Sequence, residues 1–250
     1  ARDPHFTSYR MEVVPEFWFL TRRTQSRIFQ QKSVPDILKK VLTGLSVQYQ
    51  LTGKYEPRDY CVQYRESDFA FASRLMEEEG IFYFFKHSEG EAQMVVGDSP
   101  AAYGEVPISS SLEYQALSGP TVDEERVTSL RKSQELRPMK VVLWDHTFEL
   151  PHKNLEAQKQ ITDSVQVGSV SHKLRLGDAA RLELYDWPGG YARRYNGIGP
   201  TREERPQDVQ KVYQDNMRTA SIRMQEEEAA AVELLGESRY RQMTAGHGFN

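Results

Sequence analysis

The sequence predicts a mainly β chain with an α+β insertion. Three observations carry this: period-two alternation in several short runs, two well-capped amphipathic helices early in the chain, and turn residues that break up the second half. Near the start, Arg10 and Glu12 alternate with Met11 and Val13 as a one-sided strand. Pro15 breaks that run, and the apolar Phe17 to Leu20 predicts a buried strand. Ser33 then caps a helix whose Val34, Ile37, Leu38, Val41 and Leu42 share one face. Pro35 is tolerated in its first turn and Gly44 lies near its end.

The block from Arg58 to Phe85 reads as strand, helix, stop and strand. Tyr60, Val62 and Tyr64 alternate with Cys61, Gln63 and Arg65, the period of a strand with one buried face. Ser67 or Asp68 can accept a hydrogen bond from an early helical N–H and start the helix. Phe69, Phe71, Ala72, Leu75 and Met76 form its apolar stripe, and Gly80 ends it because glycine adopts a left-handed conformation at little cost. Ile81 to Phe85 and Gln93 to Val96 predict a hairpin around the polar Lys86 to Gly90. Beyond Pro100, Gly104 and Pro107, strands are expected at Arg126 to Lys132, Met139 to Leu150 and Arg181 to Tyr185. From Gln207 to Leu235, propensity alone draws one long helix with Val209, Val212, Tyr213, Ala220 and Met224 roughly periodic.

Composition narrows the function classes. The chain has 250 residues, enough for one large or two ordinary domains, and 38% hydrophobic content is modest for burying a core. A net charge of −4 supplies no basic surface for phosphate neutralisation, so nucleic acid is not expected as a ligand. Cys61 is the lone cysteine, which excludes an intrachain disulfide and reads as a small buried hydrophobe. No apolar run approaches the roughly 20 residues that span a bilayer, and the N-terminus shows no signal segment.

The candidate chemistry is thin. Glu77, Glu78 and Glu79 are consecutive on a helix, so their side chains point about 100° apart and cannot flank one glycosidic bond. They read as solvated helix-end charge or as a polar contact to a neighbouring subunit. The six histidines show no metal-binding spacing. His146 follows Asp145, but no Gly-x-Ser-x-Gly elbow supplies a nucleophile. Gly189, Gly190, Gly197 and Gly199 are followed by no phosphate-loop Lys-Ser/Thr and read as turn residues. No catalytic, cofactor-binding or metal residue is assigned, and no enzyme activity is expected.

Gln63, Tyr64, Glu66, Ser67 and Asp68, followed by Arg74, Leu75, Glu77, Glu78, Glu79, Gly80 and Ile81, together resemble the signature of the VgrG family, the spike proteins of type VI secretion. Upstream, Pro15 with Phe17 to Leu20, and Ser26 to Gln30, are similar to further family elements, as is the turn from Tyr185 to Tyr191 downstream. The resemblance is strong from Tyr9 to Asp98, weaker from Ala101 to Gln160 and moderate to Phe249. It departs at Ala245, where the family usually has proline. It lacks the first stretch of the N-terminal barrel and the domains that follow in longer members, and with Ala1 at its start it reads as an internal portion of a longer protein.

The resemblance implies two β-barrel-like parts of a phage-hub-like fold. Residues 1–26 would close the first barrel, 27–100 form an α+β domain, and 101–250 form a second barrel with a helix near 207–228 and incomplete C-terminal strands. The helix would then end near Glu226 to Glu228, with strands at Ala229 to Leu235 and Tyr240 to Met243. It further implies a structural hub that adapts a trimeric needle to a hexameric tube and transmits contraction force for effector delivery. Expected partners are two further copies of the chain in a homotrimer, a hexameric Hcp-like tube protein, a C-terminal needle and tip protein, and baseplate and effector proteins. Assembly in the bacterial cytoplasm and secretion by the type VI machine would follow. A contractile phage baseplate hub is the alternative machine; an enzymatic effector domain outside this segment is the alternative chemistry.

Overall fold

The computed structural model describes residues 6–106, 111–115, 125–178, 181–197 and 209–250. Strand residues outnumber helical ones, as the alternation predicts. Two large cores and a small cluster of Phe84, Val95 and Ala102 organise the described residues.

The first core grows from short-range signals. Ser33 accepts the Asp36 N–H at 3.4 Å and starts α1 (Val34–Val41), whose Val34, Ile37, Leu38 and Val41 are buried. β1 (Thr24–Lys32) pairs antiparallel with β3 (Arg58–Ser67), Phe29 opposite Cys61. Of the two possible caps, Ser67 is the one used: its Oγ accepts the Ala70 N–H at 3.1 Å and opens α2 (Asp68–Glu79). Gly80 sits at φ 67°, ψ 29°, and the Ile81 N–H bonds back to the Met76 carbonyl at 2.8 Å, which closes the helix as expected. β4 (Phe82–Ser88) and β5 (Glu91–Gly97) form the hairpin, and β2 (Val47–Gln50) adds parallel to β5. Phe71, Leu75 and Met76 of α2 meet Ile37, Leu38 and Val41 of α1 in one apolar cluster.

Two expectations near the start are corrected. Phe17 to Leu20 is buried only in part and is not a strand: Glu16–Arg22 winds into a 3-10 turn, with the Trp18 N–H bonded to the Pro15 carbonyl at 2.9 Å. A short apolar run does not by itself distinguish strand from helix, and here the three-residue turn delivers Phe17 and Leu20 to the first core while Trp18 and Phe19 stay outside. Arg10 to Val13 forms no strand, and Tyr9, Met11 and Val13 are exposed. Alternation needs a neighbouring strand to become structure.

The second core is built by β8 (Lys140–Leu143) between parallel β12 (Glu183–Asp186) and antiparallel β9 (Ala157–Gln160), covered by α3 (Val212–Ala231). Val141, Leu155, Tyr191, Val212, Ala220 and Met224 are fully buried there. The expected strand from Met139 to Leu150 therefore stops at Leu143. Trp144 leaves the sheet and its carbonyl accepts the Gly189 N–H at 2.9 Å. β10 (Ser164–Val167) and β11 (Val170–Lys173) form a hairpin, and β6 (Gly104–Glu105) pairs with β14 (His247–Gly248).

The C-terminal conflict between propensity and resemblance resolves between the two. α3 runs three residues past Glu228, then Val232 takes extended geometry and opens β13 (Val232–Ser238), which pairs antiparallel with β7 (Val127–Gln134). Tyr240 to Met243 is a turn, with the Met243 N–H on the Tyr240 carbonyl at 3.3 Å, and not a strand. The residues from Gln207 to Asp208, Pro107 and Gly199 lie outside the described residues. The described strands form sheets of two or three strands, and none of these closes into a barrel among the described residues.

Candidate functional site

The motif residues of the central block converge on a charged joint between the two cores. It begins at Asp68, fully buried at the first residue of α2, where Arg23 and Arg27 both pair with its carboxylate and Gln63 Nε2 donates to Oδ1 at 2.8 Å. Gln63, also fully buried, accepts from Arg27 Nε at 2.7 Å, so a strand side chain and two arginines tie β1 and β3 to the helix start. A buried carboxylate is tolerated only when such donors satisfy it, and the N-terminal position adds the favourable helix dipole.

At the other end of α2 the three glutamates take different fates. Glu77 is exposed. Glu78 accepts from Arg58 Nη1 at 2.6 Å and Arg74 Nη1 at 3.2 Å, with Arg194 at 3.9 Å. Glu79 is buried and pairs with both Arg58 and Arg218. The reading as solvated helix-end charge thus holds for Glu77 and is corrected for Glu78 and Glu79. Helical geometry turns the second and third carboxylates inward, where arginines of the second core meet them. Arg218 comes from α3, and Arg194, from the short 3-10 turn Ala192–Arg194, also donates to the buried Asp215 at 2.6 Å. Arg58, Glu78, Glu79, Arg194, Asp215 and Arg218 make one ionic chain through the joint.

Electrostatics follows this geometry. Burial pulls the Arg58 guanidinium down, but Glu79 and Glu78 outweigh it and the net shift is upward. Burial likewise pushes the Glu78 carboxyl up, yet Arg58, Arg194 and Arg74 hold it below the ordinary carboxylate range. Every strong charge in the joint faces an opposite one. The arrangement can therefore fix the two cores in register.

A cleft of about 690 Å³ opens beside the joint, walled by Tyr60, Cys61 and Val62 on β3 and by Ile222 and Arg223 on α3. Cys61 is buried as expected, and burial raises its thiol pKa, which disfavours the reactive thiolate. His146 is far from the ionic chain in sequence; its ring packs edge-on against Phe148, while Asp145 accepts the Ala192 N–H at 3.1 Å. Among the described residues no group of three or more His, Cys, Asp or Glu is placed to hold a metal. No described helix is long and apolar enough to cross a membrane. Sequence reasoning placed Arg27 in the Ser26 to Gln30 motif without its partner and missed Arg23, Arg194, Asp215 and Arg218, whose spacing carries no local signal of their partners.

A model of the phage tail baseplate hub family matches residues 1–250. The chain belongs to that family. Among relatives of this hub chain, the type VI secretion system spike protein VgrG1b of Pseudomonas aeruginosa is 33% identical over 195 residues, covering 77% of the chain and 25% of that protein. The actin cross-linking toxin VgrG1 of Vibrio cholerae is 30% identical over 196 residues, 77% of the chain and 17% of that protein. The hub chain thus spans about a quarter or less of the length of these curated relatives. In fold it is similar to the prophage MuSo2 43 kDa tail protein from Shewanella oneidensis, with a TM-score of 0.50 and 11% identity over 94% of this chain and 60% of that one. The resemblance read from the motifs and the mainly β class both stand on these matches.

Proposed function

We propose that this chain is the hub portion of a type VI secretion spike, joining a trimeric needle to a hexameric tube and passing on the force of sheath contraction. The observation that carries the reading is the baseplate hub match over the whole chain together with relatives named as type VI spike proteins. In this reading residues 1–26 belong to a first barrel-like part, 27–100 to the α+β domain and 101–250 to a second barrel-like part. Two similar parts per chain, repeated three times, supply six units, so a threefold hub can sit on a sixfold tube. The charged joint suits such a task. It ties the α+β core to the second core through the Arg218–Glu79 and Arg194–Glu78 pairs, with Arg58 and Asp215 holding those groups from within each core, and a part that transmits compression must not shear there. A needle, a tip, baseplate components and effectors are the further partners, and the spike leaves the cytoplasm through its own machine.

The chain itself is proposed to be non-enzymatic. The Vibrio relative bears a toxin name while this chain covers 17% of it, which supports placing effector chemistry in other domains. The test is light scattering of the full-length protein together with capture of a hexameric tube protein, alongside assays for metal binding and for cleavage of peptidoglycan, nucleotides and esters. A homotrimer that retains the tube protein and turns over nothing is expected. A monomer that ignores the tube protein, or turnover abolished by replacing Glu77 or His146, would overturn the reading. Capture by a phage tail tube protein in place of the secretion tube would favour the phage machine.

A further inference from the structure

The β1–β3 ribbon buries one face and leaves the other open to solvent, with Tyr60 and Val62 also forming one wall of the cleft beside the joint. Phe29, Cys61 and Gln63 point inward, so the alternate residues Ile28, Tyr60, Val62 and Tyr64 point out, and they are 60%, 47%, 37% and 70% exposed. Ile28 stands directly opposite Val62, which makes this a continuous apolar strip and not scattered single residues. Two cations mark this part of the chain: Arg22, over the Trp18 ring, and Arg65, held at φ 52° beside Tyr64. Neither forms an ion pair among the described residues, although the arginines around them, Arg23, Arg27 and Arg74, all do. The left-handed Arg65 sits at the bulge in the β1–β3 ladder, where its N–H donates to Ser26 Oγ at 3.3 Å.

A complementary feature stands on the second half. Among the described residues β13 pairs with β7 alone, and from Glu233 to Ser238 it is exposed throughout. Glu233, Leu235 and Glu237 share one of its faces, and neither glutamate side chain forms an ion pair among the described residues. Arg131, directly across from Leu235, leaves that face acidic by one net charge.

We propose that these surfaces meet between copies of the chain: the Glu233–Leu235–Glu237 face of one copy docks on the Ile28–Tyr60–Val62–Tyr64 strip of the next, with Glu233 and Glu237 answering Arg22 and Arg65. The occupant is a second copy because apolar strip and charge sign are matched within one sequence. Because the two surfaces differ, the contact is head-to-tail and closes only as a ring. The inference rests on the ring-shaped hub reading and adds which strands form its seams.

The test uses Cys61→Ala chains carrying either Tyr64→Cys or Leu235→Cys, mixed under mild oxidation. A disulfide-linked pair should form in the mixture and in neither chain alone. Cross-linking of Tyr64→Cys chains to each other would mean a twofold contact, and no cross-link at all would mean no contact here; both overturn the proposal. A second measurement guards against a folding defect at Leu235. Glu233→Lys with Glu237→Lys should cut the cross-link yield several-fold, and pairing that chain with an Arg22→Glu, Arg65→Glu chain should restore it. Equal yields in all charge combinations would also overturn it. A full-length trimer that fails these tests sinks the seam and leaves the hub reading standing, whereas a full-length monomer sinks the hub reading first.

Discussion

Arg218 grips Glu79 twice: its Nη2 donates to the Glu79 carbonyl at 2.9 Å while its Nη1 pairs with the Glu79 carboxylate. The two residues are 139 positions apart in the chain. The carbonyl is one of the groups that the last turn of α2 leaves without a helical partner, so an arginine of α3 finishes a helix in the other core.

Replacing Arg218 with alanine should therefore cost about 1–3 kcal/mol, because it leaves the buried Glu79 carboxylate and its carbonyl short of a donor. Arg218→Lys should recover only part of this, since a single ammonium cannot serve carboxylate and carbonyl in the same fork. Urea denaturation of the three proteins measures it, and equal midpoints for wild type and Arg218→Ala would contradict the joint.

Gly80→Val should destabilise the protein by about 1–3 kcal/mol, since a β-branched residue would be forced to positive φ. Space adds to the strain, because a Cβ at Gly80 would lie 3.3 Å from Ile222 Cγ1 on α3. Thermal melting tests this, and an unchanged transition would remove the helix-stop assignment.

Asp68 and Glu66 stand two residues apart and should behave differently. Asp68→Ala removes the acceptor of the buried Gln63 amide and of the partly exposed Arg23 and Arg27, and should cost about 1–3 kcal/mol. Glu66→Ala removes a pair to the partly exposed Arg74 and should cost under about 1 kcal/mol. A similar loss for both would show that burial is not what sets the scale.

Acid should weaken the joint in a defined direction. The Glu78 pKa is depressed in the fold, so the unfolded chain takes up the proton first as pH falls. The stabilisation is whole above the ordinary glutamate value of 4.5 and is lost as pH drops through the lower folded value. Glu78→Gln should flatten this acid limb while leaving the slope above pH 5 unchanged, as read by denaturation at stepped pH. An unaltered limb would mean that other carboxylates govern it.

Much of the fold was legible because its signals are local. Ser33 as a cap, a second cap at Ser67 or Asp68, Gly80 as the stop, the α2 stripe and the β4–β5 hairpin all depend on neighbours within a few residues, and each formed where it was expected, with Ser67 taking the second cap. The motif block also sufficed to point to the spike family, since Asp68, Glu78 and Glu79 recur there in a fixed local frame. Local periodicity could not show which way the Tyr60–Tyr64 alternation faces. Both sides carry plausible core residues; Cys61 was expected inside, but the burial of the polar Gln63 beside it was decided by packing. Phe17 to Leu20 likewise became a turn because Phe17 and Leu20 reach the core that way.

By itself the sequence determined the caps, the stops, the periods and the family, which are encoded over spans shorter than a helix. The tertiary structure alone decided where α3 gives way to β13, because pairing with β7, about a hundred residues earlier, competes with helix propensity. It also decided that two of three adjacent glutamates are structural. Their partners Arg58, Arg194 and Arg218 come from three separate elements, and the cost of burying a carboxylate is met only when all of them arrive together.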